Sequence, residues 1–243
     1  MNNISARILA LGLMLYAAGP QAAEGAPVLD RDPHRNDLGF FDLHICNWPE
    51  RPSFIKALFS TIRFQEIGDM AVLTPDGKTL ASMDPQRYML IQAKGKPEKR
   101  VFMVDVDVPA QVQEGWYAIR VKGKDGKEHL ARDYLVLNRI GRPEGMQPAD
   151  KAELTKPPAE LRWNSVPGAA HYMVFLRDGF EGTLVQEARL VQEPRLVLEP
   201  GLLKPGGYYQ WMVHARDVNE NVILGDFNSG SISQKASFSI ADP

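Results

Sequence analysis

The sequence predicts an all-β protein made of two tandem β-sandwich domains that follow a cleaved N-terminal segment. Short runs of Val, Ile, Tyr, Phe and Trp recur along the chain, and Gly, Pro or Asp interrupts them every ~8–12 residues, as in sandwich proteins. Apolar residues at helical spacing are scarce after residue 23. The composition, with 20 Gly and 18 Pro in 243 residues, is that of a globular protein.

Residues 1–23 have the pattern of a secretory signal peptide. Arg7 is the only charged residue, the apolar run 8–16 follows it, and small residues lead up to Ala22 and Ala23. A membrane-spanning helix needs roughly 20 apolar residues, so this run is too short to be one. We therefore expect a soluble protein exported to the periplasm or the cell exterior, without an integral membrane segment.

The net charge and the single cysteine bear on possible partners and on disulfide formation. With 28 Lys and Arg against 30 Asp and Glu, the net charge is −2, and nothing favours nucleic acid as a partner. Cys46 cannot form an internal disulfide because it is the sole cysteine. It ends a predicted strand, so we expect its thiol to be buried.

The first domain, residues 24–140, is predicted to be an immunoglobulin-like sandwich. Its expected strands are Phe40–Cys46, Ala57–Phe64, Met70–Thr74, Tyr88–Gln92, Val101–Val108, Trp116–Val121 and Tyr134–Leu137. Alternation predicts two sets of core residues: Tyr117, Ile119 and Val121 in one strand, and Phe102, Val104, Val106 and Val108 in another. The Lys124–Lys127 segment predicts a hairpin turn of the primed type.

A proline- and glycine-rich stretch predicts the domain boundary. Asn138–Glu160 has no sustained apolar period and contains several Pro and Gly residues. We place a linker at 141–150 and a second sandwich domain at 151–243.

Two segments of the second domain carry a specific pattern. The segment 161–174 contains Trp163, a Pro-Gly turn and an alternating strand, and 203–217 contains a Pro-Gly turn followed by Tyr209. In the second segment Tyr209, Trp211, Val213 and Ala215 share one face of a strand. Together the segments resemble a fibronectin type III domain of the bacterial extracytoplasmic kind over residues 148–240.

The resemblance implies a sandwich with Trp163 in its core and Tyr209 hydrogen-bonding back across the preceding turn. Gly207 stands where that family often has Thr. Such domains are rarely catalytic, so the resemblance implies a binding or spacing module.

The opposite faces of these two predicted strands carry our candidate binding residues, which are His171, Met173, Phe175, Tyr208, Met212 and His214. Exposed clusters of aromatic and Met side chains are typical of interfaces. The face could instead pack on the first domain or have no role. Our favoured prediction is a non-catalytic binding or adaptor protein of a periplasmic or cell-surface assembly, whose partner is another envelope or extracellular protein.

Carbohydrate binding is the main alternative, with Trp48, Trp116 and Tyr208 as stacking platforms for sugars. Trp48 lies among Pro and polar residues, so it could equally plug one end of a sandwich. The glycan alternative predicts an accessory module.

A secreted enzyme or a metal-binding subunit is less favoured. No nucleophile elbow, zinc-protease motif, phosphate loop or dinucleotide fingerprint occurs, so we expect neither catalysis nor a cofactor. His and Met on adjacent strands could hold copper, and His44 shares a strand face with Cys46, but neither set has a third ligand.

Overall fold

The computed structural model describes residues 32–92, 94–108, 112–186, 188–217 and 227–242. These residues form an all-β protein, as predicted, in which the one helical segment described is the 3-10 turn Phe64–Glu66. Among them there is no helix long and apolar enough to cross a membrane. The predicted signal peptide lies outside the described residues.

The strands, as far as the chain is described, are β1 (Arg35–Asn36), β2 (Gly39–Asn47), β3 (Phe54–Thr61), β4 (Ile67–Leu73), β5 (Thr79–Met83), β6 (Tyr88–Ile91), β7 (Lys99–Asp107), β8 (Gly115–Gly123), β9 (Glu128–Leu135), β10 (Ala152–Leu154), β11 (Glu160–Arg162), β12 (His171–Asp178), β13 (Arg189–Val191), β14 (Arg195–Val197), β15 (Tyr208–Arg216), β16 (Ser229–Ile232) and β17 (Ala236–Ile240).

The chain divides into two compact units, each built from separate stretches of sequence. Unit 1 contains the described residues up to Leu43 together with 56–106 and 113–135. Unit 2 contains 44–55, residues 107–112 as far as they are described, and the described residues from Val136 onward. The domain limits expected from the sequence stay a prediction.

Unit 1 contains a four-stranded antiparallel sheet in the order β5-β4-β8-β9. On β8 the predicted core residues Tyr117, Ile119 and Val121 are buried, which confirms the alternation. The prediction for β7 is wrong beyond Phe102, because Val104, Val106 and Val108 are only half-buried. Strand β6 pairs with β7 only over Lys99–Phe102, so the rest of β7 lacks that neighbour.

The β8–β9 hairpin forms where it was predicted, but its turn is not of the primed type. The turn runs from Gly123 to Gly126, whose N–H donates to the Gly123 carbonyl at 2.9 Å. Only Gly126 has a positive φ, +83°, whereas a type I′ turn needs positive φ at both central residues. Gly126 at the end of the turn supplies the left-handed residue of a three-residue loop.

Two predicted strands have different limits in the structure. Strand β3 ends at Thr61, and Phe64 begins the 3-10 turn instead of ending a strand. Strand β9 begins at Glu128, six residues before the predicted start at Tyr134. Leu130 is exposed and Asp133 is buried on this strand, so its apolar residues do not alternate as a strand with one apolar face would.

Six strands of unit 2, β10, β12, β13, β15, β16 and β17, belong to the large sheet, and β11 and β14 form a two-stranded sheet. In the large sheet β12 lies between β13 and β15, while β15 pairs with β17 along its first half and with β16 at its end. Trp163 is 4% exposed and Trp211 1% exposed in the core. The core position predicted for Trp163 is confirmed.

The predicted tyrosine corner is also present. The Tyr209 hydroxyl accepts a hydrogen bond from the Lys204 backbone N–H at 2.8 Å. A Cβ atom at Gly207 would lie only 2.5 Å from the Tyr209 hydroxyl oxygen and ring. The glycine that departs from the family pattern is therefore required by the packing of the corner.

The segment 44–47 of β2 belongs to unit 2, where it pairs in parallel with β16. Gly230 lies opposite Cys46, and Ser229 lies opposite Ile45. Cys46 is 1% exposed, which confirms the predicted burial of its thiol. His44 and Cys46 are two residues apart on β2, so their side chains point to the same face of the sheet.

Candidate binding face of unit 2

The predicted binding residues are brought together by antiparallel pairing of β12 with β15. Met173 lies opposite His214, and Phe175 lies opposite Met212. The alternating residues between them, such as Val174 and Val213, are buried in the core. The prediction that the two strands are neighbours is confirmed, and the candidate residues share the other face, which we call the outer face.

The centre of the outer face is an apolar stripe that crosses three strands. Met173, Phe175 and Met212 are half-buried. Leu190 on β13 lies opposite Met173 and is 50% exposed, so it extends the stripe to the edge of the sheet. Sequence reasoning missed Leu190 because β13 has only three residues and no recognisable period.

Tyr208 marks one end of the stripe. Its ring lies 5.7 Å from the ring of Phe180, which is 75% exposed. Hydrogen bonds from Gln210 and Ser237 hold the pKa of Tyr208 below its usual value. Phe180 lies in a turn, and the sequence held no signal that would have joined it to this face.

The other end of the stripe is closed by Phe227. The His214 ring packs edge-on against it at 5.5 Å, and the His44 ring lies 4.1 Å away. His214 is 9% exposed and is therefore buried within unit 2, whereas the sequence placed it on an exposed surface. His171, two residue pairs further along the strands, is half-buried opposite Arg216.

Arg216 lies between Met173 and His214, one Met and one His of the adjacent strands that the sequence offered as copper ligands. Its guanidinium Nη2 is 3.6 Å from the Met173 sulfur, and its Nε is 3.3 Å from His214 Nδ1. The Arg216 guanidinium thus already contacts both the Met173 sulfur and His214 Nδ1. In the described residues no three His, Cys, Asp or Glu side chains are grouped to hold a metal ion.

Asp217 follows β15 directly and adjoins this cluster. Burial raises the pKa of Asp217 above its ordinary value. Its carboxylate accepts a hydrogen bond from the Ser229 N–H at 2.7 Å, which ties the end of β15 to β16.

The two tryptophans of the glycan alternative have different surroundings. In unit 2, Trp48 is half-buried and packs edge-on against Phe54 at 5.0 Å, with the Arg51 guanidinium 3.7 Å from the Phe54 ring centre. In unit 1, Trp116 is 49% exposed on β8. Of the two, Trp116 offers a ring to solvent.

Unit 1 also has a polar depression of about 610 Å³. Its charged groups are engaged with one another: Arg63 forms a two-pronged ion pair with Glu66, at 2.6 and 2.5 Å. The Asp125 carboxylate accepts from the Lys127 N–H at 3.0 Å. Two of the charged groups that line the depression, Arg63 and Glu66, therefore pair with each other.

Comparison with known proteins shows no matching protein-family profile and no matching curated relative. Among solved structures, the chain is similar to a cytokine receptor complex at 14% identity and a TM-score of 0.32, over 83% of this chain and 98% of that one. It is also similar to a two-domain fibronectin type III segment of chicken tenascin, at 14% identity and a TM-score of 0.28, over 81% and 95%.

A third similar structure is a Bacteroides ovatus protein of the mixed-linkage glucan utilization locus, in complex with a heptasaccharide. The identity is 11% and the TM-score 0.23, over 81% of this chain and 43% of that one. The all-β architecture of the present chain stands on its own strand pairing and core.

Proposed function

We propose that the chain is an exported, non-catalytic adaptor that binds another envelope or extracellular protein through the outer face of unit 2. The observation that carries the proposal is the β12–β15 register, which sets Phe175 opposite Met212 and Met173 beside them. Together with Leu190 these side chains form a continuous apolar stripe on an outer sheet face.

The stripe has the chemical character of a protein contact surface. Aromatic side chains bury a large area each, and the flexible Met side chains adapt to a partner's shape. Arg177 and Gln210 form the next cross-strand pair beyond Phe175 and Met212, so polar groups border the apolar centre. An apolar centre with a polar rim is the usual anatomy of an interface.

We propose a smaller set of contact residues than the sequence suggested. Met173, Phe175, Met212 and Tyr208 stay in the proposed contact, joined by Leu190. The His214 ring packs against Phe227, and its Nδ1 accepts a hydrogen bond from Arg216. His171 belongs to the border of the stripe.

A photo-reactive amino acid placed at single exposed positions tests the proposal in the native cell envelope. Leu190 is the probe position, and Val197, 62% exposed on the other sheet of unit 2, is the matched control. We expect irradiation to capture one protein at high yield from the 190 position and not from the 197 position.

The double variant Phe175→Glu/Met212→Glu should abolish this capture while the circular dichroism spectrum of the purified protein stays unchanged. Equal capture from both positions, or none from either, would contradict the proposal. Unfolding of the double variant would assign the stripe to internal packing, and the milder Phe175→Ser variant would then separate the two roles by its effect on capture alone.

A further inference from the structure

An exposed aromatic pair on unit 1 is separate from the outer face of unit 2. Trp116 on β8 and Tyr134 on β9 lie directly opposite each other in the antiparallel register. Their ring centres are 5.4 Å apart and their planes are inclined by 84°, so the two rings form an upright corner, which we call the aromatic corner. Trp116 is 49% and Tyr134 40% exposed.

The next cross-strand pair on this face places a small residue, Ala118, and a cationic residue, Arg132, beside the aromatic corner. Ala118 lies opposite Arg132 two residues further along the strands, in the next pair on the same face as the aromatic rings. Side chains on diagonal positions of neighbouring strands are within reach of long residues, so the Arg132 guanidinium can reach the space in front of Trp116.

Arg132 differs from the next arginine on this face. Arg120 Nε lies 3.9 Å from a Glu128 carboxylate oxygen. Arg132, by contrast, forms no ion pair with any acid in the described part of the chain, and its only hydrogen bond there is the backbone one to Pro33. The guanidinium of Arg132 is therefore available to bind an anionic ligand beside the aromatic corner.

The size of the apolar surface indicates what kind of ligand fits. Only Leu130, at 52% exposed, adds to the two rings on these strands. A fully exposed aromatic side chain offers ~150–250 Å², so two half-exposed rings offer roughly 200 Å². A stable protein interface needs about 800 Å² from each partner, which is several times more.

A sugar ring matches this surface better than a protein does. A pyranose has one apolar face of C–H groups and a rim of polar groups, so it can stack on the Trp116 ring while Tyr134 closes one side. Arginine presents a planar fork of donors that binds a carboxylate through two hydrogen bonds. A carboxylate on the sugar would complement the cation at the open side.

We infer that Trp116, Tyr134 and Arg132 form a binding site for an acidic oligosaccharide, with a hexuronate ring on Trp116 and its carboxylate on Arg132. This site lies in unit 1 and does not depend on the adaptor function proposed for unit 2. It assigns Tyr134 and Arg132 to a role that the alternation of β9 alone did not suggest.

Titration calorimetry of the full-length mature protein with oligogalacturonate, oligoalginate and cellohexaose tests the inference. We expect one or both acidic oligosaccharides to bind and the neutral one to bind at least about tenfold more weakly. Trp116→Ala and Arg132→Gln should each weaken acidic binding by about tenfold or more. Phe180→Ala, an exposed aromatic position of unit 2, is the control and should leave the affinity unchanged.

Three results would overturn the inference. The first is the absence of binding to every acidic oligosaccharide, and the second is equal affinity for cellohexaose. The third is binding that Trp116→Ala leaves intact and that added salt alone removes, which indicates diffuse attraction. Trp116→Phe keeps an aromatic ring at this position and should retain binding. It is therefore the control that separates loss of the stacking ring from misfolding in Trp116→Ala.

Discussion

The hydroxyl oxygen of Tyr209 accepts a hydrogen bond from the backbone N–H of Lys204, 2.8 Å away, and ties the loop before β15 to that strand. The Tyr209 ring is 4% exposed and lies 5.5 Å from the ring of Phe238 in the core of unit 2. One side chain thus joins the core to an otherwise irregular turn.

Removal of this hydroxyl should destabilise unit 2. We expect Tyr209→Phe to lower the free energy of unfolding by about 1–2 kcal/mol, because the Lys204 N–H loses its acceptor. Urea unfolding followed by tryptophan fluorescence measures the change. Tyr208→Phe on the outer face is the control and should change it by less than about 0.5 kcal/mol; equal effects would contradict the role of the corner.

Gly207 should be intolerant of any side chain. A Cβ there would approach the Tyr209 ring to 2.5 Å, so Gly207→Ala is expected to cost about 1–3 kcal/mol of unfolding free energy through overpacking. Gly141→Ala is the matched control, because nothing lies within 4 Å of its Cβ position. A Gly207→Ala protein as stable as the Gly141→Ala protein would show that the corner can shift without cost.

The stability of the protein should respond to pH in opposite ways at Asp217 and Asp150. Burial raises the pKa of Asp217, so its contribution to stability is greatest below the unfolded pKa and declines as the pH rises through the folded pKa. Hydrogen bonds from Ser237 lower the pKa of Asp150, so its contribution is present above the unfolded pKa and is lost as the pH falls through the folded pKa.

The corresponding asparagine variants separate the two effects. Relative to the parent, Asp217→Asn should gain stability as the pH rises from acid to neutral, since its amide oxygen can still accept from Ser229. Asp150→Asn should lose stability over the same range. Urea midpoints measured from pH 3 to pH 7 check both, and parallel slopes for the two variants would refute the assignment.

Asp133 should contribute to the free energy of unfolding of unit 1. Its carboxylate, 3% exposed, accepts the Leu43 N–H at 2.5 Å and lies 3.1 Å from His34 Nε2. Asp133→Ala leaves a buried backbone donor without its acceptor, and we expect a loss of about 1–3 kcal/mol in thermal or urea unfolding. Glu128→Ala, an exposed acid on the same strand, should have little effect, and a comparable loss there would contradict this account.

Strand-level features of the fold were predictable because they depend on neighbours two residues apart. Tyr117 and Ile119 point to the same side of β8 wherever that strand packs, and Trp211 and Val213 do the same in β15. The first half of β9 escaped prediction because Leu130 lies on its exposed face and Asp133 on its buried face, which breaks the apolar alternation. The primed turn was wrongly predicted because the left-handed position falls on Gly126.

The candidate site could be predicted only in part. The alternation of β12 and β15 was enough to group Met173, Phe175 and Met212, since the two strands are long and regular. Leu190 and Phe180 lie in a three-residue strand and in a turn, where no period exists. They join the face only through the pairing of separate segments.

By itself, the sequence determined that the chain is all-β, which residues of the long strands face a core, and that Trp163 and Tyr209 anchor unit 2. Tertiary structure alone decided that residues 44–55 join unit 2, that Phe227 covers His214, and that Arg216 lies between Met173 and His214. It also set Tyr134 opposite Trp116. The physical reason is that side-chain direction follows from local backbone geometry, whereas cross-strand register and loop placement depend on contacts between residues far apart in the chain.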